Sequence, residues 1–246
     1  MSAWTVVTVI VLALLGWQAP HPDAALLKRG DIGAFGPESF RATLALTAHP
    51  GEGRHKIEVW RSGDAKTLVR MLDPKERGKF LLRLGDEMWF ISPSAKQPVK
   101  LNASYRLYGG ATLDEVLGVR LSDAYDIEST ERQNSPAGDA LVVFILQARR
   151  PQQLFQQVRY VLSAATARPI SATYRVRSGK DATTVNFLEW SQGTALYARK
   201  LVVRDLLREG AATEIEVLTV DPRAVPDDLF RLDDGAARKA LESTKP

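Results

Sequence analysis

The chain has no cysteine and very little histidine. Its 246 residues include three histidines, His21, His49 and His55. The absence of cysteine excludes disulfide bonds, cysteine-based zinc sites, iron–sulfur ligation, thiol catalysis and an N-terminal cysteine that carries a lipid. Because His21 lies in the leader described below, histidine-based triads and multi-histidine metal sites are also nearly excluded. The folded chain must therefore be stabilised by its core alone.

The motifs of common enzymes and nucleotide-binding proteins are missing as well. There is no G-x-S-x-G elbow, H-E-x-x-H helix, P-loop or glycine-rich dinucleotide turn. The formal net charge is +4, but no run of five like charges forms a basic arm. An arginine-rich, solvated surface accounts for this charge better than nucleic-acid binding does. We therefore expect a protein that is not an enzyme, holds no metal or cofactor and binds no nucleic acid.

The N-terminal segment is apolar and uncharged. Residues 4–17 read WTVVTVIVLALLGW, and as a helix this run spans about 21 Å, which is less than the roughly 30 Å of a hydrocarbon core. Prolines at positions 20 and 22 follow it, as is typical of a secretory signal peptide. Residues 1–25 are interpreted as a cleaved signal, with an uncleaved N-terminal anchor as the alternative because the segment lacks Lys and Arg. Both interpretations place residues 26–246 outside the cytoplasm.

The remainder of the chain alternates apolar and polar residues between turn residues, which is typical of antiparallel sheet. No internal repeat or linker divides it. The sequence predicts one mainly β (α+β) domain with a single sheet of about 10–11 antiparallel strands. The predicted strands cover residues 55–61, 68–72, 80–84, 88–91, 125–130, 141–148, 156–163, 170–178, 183–192, 198–206 and 214–219.

The turn Gly85-Asp86 is a two-residue hairpin signal. It places Leu82 opposite Trp89 and Phe80 opposite Ile91. In the preceding hairpin, a loop of about five residues would place Glu58 opposite Arg70 and put Ile57, Val59, Val69 and Met71 on one face. A long sheet must curl and can enclose a cavity for an apolar ligand, although ordinary core under a helix is the alternative. The expected lining residues are Val69, Met71, Phe80, Leu82, Leu84, Trp89 and Ile91.

Helical signals are few. Residues 23–30 could form a helix, residues 37–46 could form a helix or a strand, and residues 226–230 could form a short helix. The clearest helix starts at Thr112, because Thr112 and Glu115 have capping-box spacing and Gly118 can end the helix. Since Gly109-Gly110 provides a flexible joint, we expect residues 105–118 to be a mobile lid; a permanently packed helix is the alternative. The expected lid side chains are Tyr105, Leu107, Tyr108, Leu113, Val116 and Leu117.

The stretch LVRMLDPKERGKFLLRLGDEMWFISPSAKQPVKL at residues 68–101 resembles the outer-membrane lipoprotein-sorting (LolA/LolB-like) family. Members of that family have a strand, a P…KG turn, a second strand and the motif G-D-x-x-W-x-Y-x-P. Weaker likeness extends through residues 113–115, 125–126, 168–170 and 226–230, so that it covers essentially the whole chain after the leader. The arginine that locks the lid in that family is not identifiable, because Arg61 and Arg70 both lie near the expected strand and neither matches the motif.

The resemblance implies an unclosed β-barrel whose concave face lies under a small helical lid. It also implies a periplasmic carrier that shields lipid or lipoprotein acyl chains during sorting to the outer membrane. An inner-membrane transporter and an outer-membrane acceptor would be its partners, and the carrier is expected to be a monomer. The alternative is a protein-interaction or envelope-stress-sensing module that uses the same half-barrel.

Overall fold

The computed structural model describes residues 21–35, 38–51, 53–63, 65–102, 105–108, 111–112, 120–192, 197–232, 235 and 238–239. Residues 1–20 lie outside this set, so the interpretation of the leader stays a prediction. Within the described residues, no helix is both long enough and apolar enough to cross a membrane.

In the described part of the chain, thirteen antiparallel strands form one sheet. The strands are β1 Ser39–His49, β2 Gly53–Ser62, β3 Lys66–Met71, β4 Phe80–Leu84, β5 Glu87–Ile91, β6 Val99–Leu101, β7 Tyr125–Asn134, β8 Ala140–Ala148, β9 Phe155–Ser163, β10 Pro169–Val176, β11 Asp181–Trp190, β12 Ala198–Asp205 and β13 Ala212–Pro222. The helices are α1 Ala24–Phe35 and α2 Leu121–Ala124, together with the 3₁₀ turns η1 Pro74–Glu76 and η2 Asp227–Phe230. The predicted mainly β, unclosed architecture is confirmed, and β1 and β6 raise the strand count above the prediction.

Strand order determines where the connections run. The order is β6-β5-β4-β3-β2-β1-β13-β12-β11-β10-β9-β8-β7, so the first and last strands pair in the middle of the sheet. Strands β6 and β7 are consecutive in the chain, yet they form the two edges of the sheet. The chain therefore leaves one edge of the sheet at Leu101 and enters the other edge at Tyr125.

Strand β1 settles the alternative that the sequence left open for residues 37–46. Phe40, Ala42, Leu44 and Leu46 alternate on one side of the strand and are all buried. They belong to the main core, which fills the concave side of the sheet beneath α1, α2 and residues 105–108. Period-two burial in a central strand favours sheet over helix at this position.

Helix α1 packs closely onto the concave side. Leu27 is 2% exposed and belongs to the main core. A Cβ atom at Gly30 would lie 2.8 Å from a methyl carbon of Leu162 and 3.3 Å from the carbonyl oxygen of Ala167. Glycine therefore lets the helix approach the β9–β10 turn, and a larger residue there would push the helix away.

The chain after β13 returns across the opposite, convex side of the sheet. Val225, Leu229 and Phe230, of which the last two lie in η2, pack against the convex face of β2, β3 and β4. The short helix predicted for residues 226–230 is thus confirmed as a 3₁₀ turn. Strands β3 and β4 are consequently buried on both faces, which explains why adjacent apolar residues occur at Leu68-Val69 and Leu81-Leu82.

A buried ion pair lies on the convex side of β2 and β3. Glu58 faces Arg70 across the two strands, as the sequence predicts. Arg70 Nη2 lies 2.6 Å from Glu58 Oε2, and both side chains are almost fully buried. Arg41 also contacts Glu58, and the guanidinium groups of Arg41 and Arg70 lie 5.9 and 5.6 Å from the ring centroid of Trp60. The carboxylate is thereby neutralised and enclosed by an aromatic ring and two cations.

Candidate functional site

The structure divides the predicted cavity residues between the two faces of the sheet. The register predicted for the β4–β5 hairpin is confirmed, since Leu82 lies opposite Trp89 and Phe80 opposite Ile91. Placing that group on the concave face is wrong. Leu82 and Phe80 pack against the η2 segment on the convex side, whereas Val69 and Met71 belong to the concave core.

The cause is the register between β3 and β4. Val69 pairs with Leu81, so the face of β4 that continues from Val69 contains Leu81 and not its neighbours in the chain. The connection of residues 72–79, which includes η1, joins the two strands in this register. Of the seven predicted lining residues, Val69 and Met71 are concave, and Phe80, Leu82, Leu84, Trp89 and Ile91 share the convex side. That any of these seven residues binds a ligand stays a prediction.

The sequence reasoning missed the concave residues of this sheet edge. They are Leu81, Met88 and Phe90, which alternate with the predicted residues in β4 and β5, and Leu101 of β6. Phe90 lies opposite Leu81, and both pack into the main core. The alternation in β4 and β5 indicates that Leu81, Met88 and Phe90 share one face of the hairpin. However, the residues on the convex face of the same hairpin are equally apolar. Only the pairing with β3 distinguishes the two sets.

The cover of the concave face includes part of the predicted lid, residues 105–108 and 111–112. Leu113, Val116 and Leu117, together with most of the predicted helix, lie outside the described residues. Arg106 pairs with Thr112 as an isolated bridge, and the Leu107 amide donates to the Ala111 carbonyl at 3.0 Å. The described part is therefore a tight turn, which we call the cover turn. Its partly buried residues Tyr105, Leu107 and Tyr108 pack against the concave core.

An aromatic contact holds the cover turn against β2. The rings of Tyr108 and His55 are stacked, with centroids 3.9 Å apart and planes at 4°. His55 Nδ1 lies 2.5 Å from Asp73 Oδ2, which orients the imidazole. The Tyr108 hydroxyl donates to Met71 Sδ at 3.5 Å. Burial, with a further contribution from the Asp73 carboxylate, raises the pKa of Tyr108, so the phenol stays protonated.

Two polar contacts hold the cover turn against β12 and β13. Arg106 Nη1 lies 3.1 Å from Oδ2 of Asp205, whose side chain is fully buried at the end of β12. The Thr213 hydroxyl donates to the Tyr108 carbonyl at 2.9 Å. The cover turn thus contacts the sheet through apolar side chains and is attached to three strands by a stack, an ion pair and a hydrogen bond.

A third part of the cover is the contact between α1 and α2. Asp31 of α1 is 4% exposed, and its Oδ2 accepts a hydrogen bond from the Ser122 amide at 2.6 Å. This places a carboxylate at the first turn of α2, where free amide groups need an acceptor. Burial raises the pKa of Asp31 to about 6, although the amide hydrogen bonds act in the opposite direction.

The arrangement is suited to covering an apolar molecule. The concave face and the inward side of the cover turn are apolar, and the polar contacts described above lie where the cover meets the strand ends. No group of three or more His, Cys, Asp or Glu side chains that could hold a metal ion occurs in the part of the chain that the structure describes.

Solved structures with the same architecture define the class of fold. The chain is similar to a LolA superfamily protein from Nitrosomonas europaea, with a TM-score of 0.76 and 22% identity over 85% of this chain and 97% of that one. An outer membrane lipoprotein-sorting protein domain from Vibrio parahaemolyticus gives a TM-score of 0.68 at 14% identity, over 89% and 97% of the two chains. A DUF1329 family protein from Desulfovibrio piger gives 0.69 at 13% identity, over 85% and 95%.

These similarities show a LolA-like fold, and the fold predicted from residues 68–101 is thereby confirmed. A family model described as "-like: Uncharacterized protein" matches residues 63–234, and the chain belongs to that family. A search of the curated proteins found no match.

Proposed function

We propose that this protein is an exported carrier that holds lipid or lipoprotein acyl chains on its concave face, under the cover turn. The observation that carries the proposal is the attachment of that turn. Its inward side chains are apolar, whereas the contacts that hold it to the strands include a ring stack, an ion pair and a hydrogen bond. An acyl chain can replace the apolar contacts one for one, and the polar contacts can form again after release.

The energetics favour such an exchange. Each buried methylene contributes about 0.8 kcal/mol, so an acyl chain with a dozen or more methylenes cannot leave a membrane without a protein cover. A turn this short is not stable by itself and depends on docking to the sheet. Its docking free energy is of the order of a few kcal/mol, which a single acyl chain can match.

The proposed ligand contacts differ from those predicted from the sequence. They comprise the concave residues of β3, β4 and β5 together with the described lid residues. The proposed set is Val69, Met71, Leu81, Met88, Phe90, Tyr105, Leu107 and Tyr108. Phe80, Leu82, Leu84 and Ile91 are assigned to the convex side, where η2 and its neighbours cover them, and Trp89 lies on the same side opposite Leu82.

The proposed location is the periplasm, because the apolar leader is typical of an exported chain. The similarity to lipoprotein-sorting structures supports a cargo with acyl chains. An inner-membrane transporter that supplies the cargo and an outer-membrane acceptor that receives it complete the proposal, with the carrier acting as a monomer.

Two adjacent half-buried residues provide a matched test. Phe90 packs on the concave core and Ile91 on the convex cluster, although they are neighbours in β5. Because the chain has no cysteine, Phe90→Cys and Ile91→Cys each introduce a single thiol for an environment-sensitive fluorophore. The ligand is a phospholipid that does not itself fluoresce, added as micelles. We expect it to change the emission of the fluorophore at position 90 by at least about twofold, and to leave the emission at position 91 within about a tenth of its starting value.

The native protein provides the second measurement. Organic extraction of protein purified from the exported fraction, followed by mass spectrometry, should yield stoichiometric lipid. Absence of lipid together with equal responses at positions 90 and 91 would contradict the carrier function and favour a module that binds proteins only.

A further inference from the structure

The turn between β12 and β13 displays two adjacent leucines to solvent. Leu206 and Leu207 are 48% and 54% exposed. Turns of this kind are usually built from Gly, Asn, Asp, Ser and Pro, whose backbone preferences suit them. Because about half of each leucine side chain is exposed to solvent, burial of the two leucines contributes less to the stability of the fold than their size would allow. An exposed apolar pair at the end of a hairpin is therefore a candidate contact surface.

The surroundings of this pair are basic. The neighbouring β10–β11 turn lies at the same end of the sheet, and the Leu206 amide donates to the Ala182 carbonyl at 2.8 Å, which joins the two turns. Five exposed cations occur in these two turns and their flanks, against two exposed carboxylates, Asp181 and Glu209. The cations are Arg175, Arg177, Lys180, Arg204 and Arg208. Arg175 is paired with Asp181 at 2.8 Å and Arg208 Nε lies 3.9 Å from the buried Asp205 carboxylate, so the cations still outnumber the carboxylates around the leucines.

We propose that this end of the barrel, the docking tip formed by residues 175–181 and 204–211, binds an anionic membrane surface. The two leucines would enter the boundary between headgroups and acyl chains, and the arginines would contact lipid phosphates. The chemistry matches a lipid surface because the tip combines exposed aliphatic side chains with surrounding exposed cations. Docking of this kind requires no cargo, so the proposal goes beyond the carrier function.

The docking tip is also adjacent to the attachments of the cover turn. Asp205, which pairs with Arg106, directly precedes Leu206, and Thr213, which holds the Tyr108 carbonyl, follows the tip after two residues. A membrane bound at the tip therefore lies beside the two contacts that keep the cover turn in place on β12 and β13.

Binding to vesicles tests the proposal. The full chain without added cargo would be sedimented with vesicles of phosphatidylcholine alone or of phosphatidylcholine and phosphatidylglycerol in equal parts. The variant Leu206→Ser/Leu207→Ser is compared with Leu188→Ser, because Leu188 is also 54% exposed but lies within β11. All variants have the same N-terminus, so any contribution of the leader cancels in the comparison.

We expect the double leucine variant to lose about tenfold or more in affinity for the anionic vesicles, and Leu188→Ser to change by less than about twofold. Arg204→Gln/Arg208→Gln should also weaken binding, and the wild-type affinity should fall as salt is raised. The proposal is overturned if the wild-type chain binds neither vesicle, if the double leucine variant binds like the wild type, or if Leu188→Ser loses as much. The fluorophore measurement at positions 90 and 91 does not involve the tip, so failure of the docking tip and failure of the carrier function are distinguishable.

Discussion

Val69 lies directly opposite Leu81 across the β3–β4 pair. This pairing sends Leu81 to the concave core and its neighbour Leu82 to the convex cluster, and both side chains are fully buried. Two adjacent leucines of one strand are thus covered by different parts of the chain. One lies on the face that we propose for the ligand, and the other lies under η2 and its neighbours.

This difference predicts separate effects on stability and binding. Leu81→Ala and Leu82→Ala should each lower the free energy of unfolding by about 2–5 kcal/mol, because each removes a buried side chain from a packed core. Only Leu81→Ala should change the affinity for a fluorescent fatty acid, since Leu82 does not reach the concave face. Urea unfolding and fluorescence titration measure the two quantities. Equal changes of affinity in the two variants would contradict the assignment of faces.

The buried ion pair predicts a non-additive double variant. Glu58→Ala leaves the Arg70 guanidinium buried without its carboxylate and should lower the free energy of unfolding by about 3–5 kcal/mol. Glu58→Leu/Arg70→Met replaces both charges by apolar groups of similar volume and should recover most of that loss. Chemical denaturation of Glu58→Leu, Arg70→Met and the double variant provides the comparison. A double variant as unstable as the sum of the single variants would show that the pair does not act as a unit.

The attachment of the cover turn predicts its hydrogen exchange. Amides of residues 105–112 should exchange much faster than those of β4 without ligand, and a lipid analogue should change their protection. Tyr108→Ala removes the stack on His55 and should speed exchange in the turn by about tenfold or more. Tyr174→Ala is the control, because Tyr174 contacts Phe155 on the opposite half of the sheet. Slow exchange that no ligand alters would mean that the turn is permanent core.

Asp31 predicts a pH dependence of the α1–α2 contact. Burial raises the pKa of this carboxyl from 3.8 to about 6, so the folded state holds its proton more tightly than the unfolded state does. The resulting stabilisation is complete below about pH 4 and is lost as the pH rises through about 6; it amounts to the order of 3 kcal/mol. Asp31→Asn keeps an oxygen that can accept from the Ser122 amide but cannot titrate. The difference in free energy of unfolding between wild type and this variant should therefore change between pH 4 and pH 7.

A difference that stays constant over that range would contradict the raised pKa. Carboxyl groups whose pKa is lowered in the folded state change the free energy of unfolding with pH in the opposite direction. Their contribution is the same in both proteins, so it cancels in the difference. Asp23 is one of these groups, because its hydrogen bond with Arg132 lowers the pKa of that carboxyl.

The position of Asp23 refines the prediction for the leader. We expect an exported chain that begins within residues 20–26. Asp23 accepts hydrogen bonds from the Thr130 hydroxyl at 3.0 Å and from Arg132 Nη2 at 2.9 Å, which attach the start of α1 to β7. Cleavage before Asp23 keeps these contacts, so mass spectrometry of the exported protein should find the N-terminus at residues 20–23. An intact N-terminus on exported protein would support an anchor.

Local sequence patterns were sufficient to predict strand pairing where a short turn joins the two strands. The two-residue turn at Gly85-Asp86 sets the pairing of Leu82 with Trp89, and the preceding hairpin sets that of Glu58 with Arg70. Period-two alternation also identified eleven of the thirteen strands. It missed β6, which is three residues long, and left β1 open between helix and strand.

By itself, the sequence determined that this chain forms a curled antiparallel sheet with an apolar face, because alternation and short turns act over a few residues. The LolA-like outline was implied by the family resemblance of residues 68–101. Only the tertiary structure decided which apolar set faces inward. Both sides of β4 are apolar, and their covers come from distant segments: α1, residues 105–108 and α2 on the concave side, and η2 with its neighbours on the convex side. The choice depends on the β3–β4 register across an eight-residue connection without a defined turn type. No local pattern encodes that register, because burial against distant parts of the chain selects it.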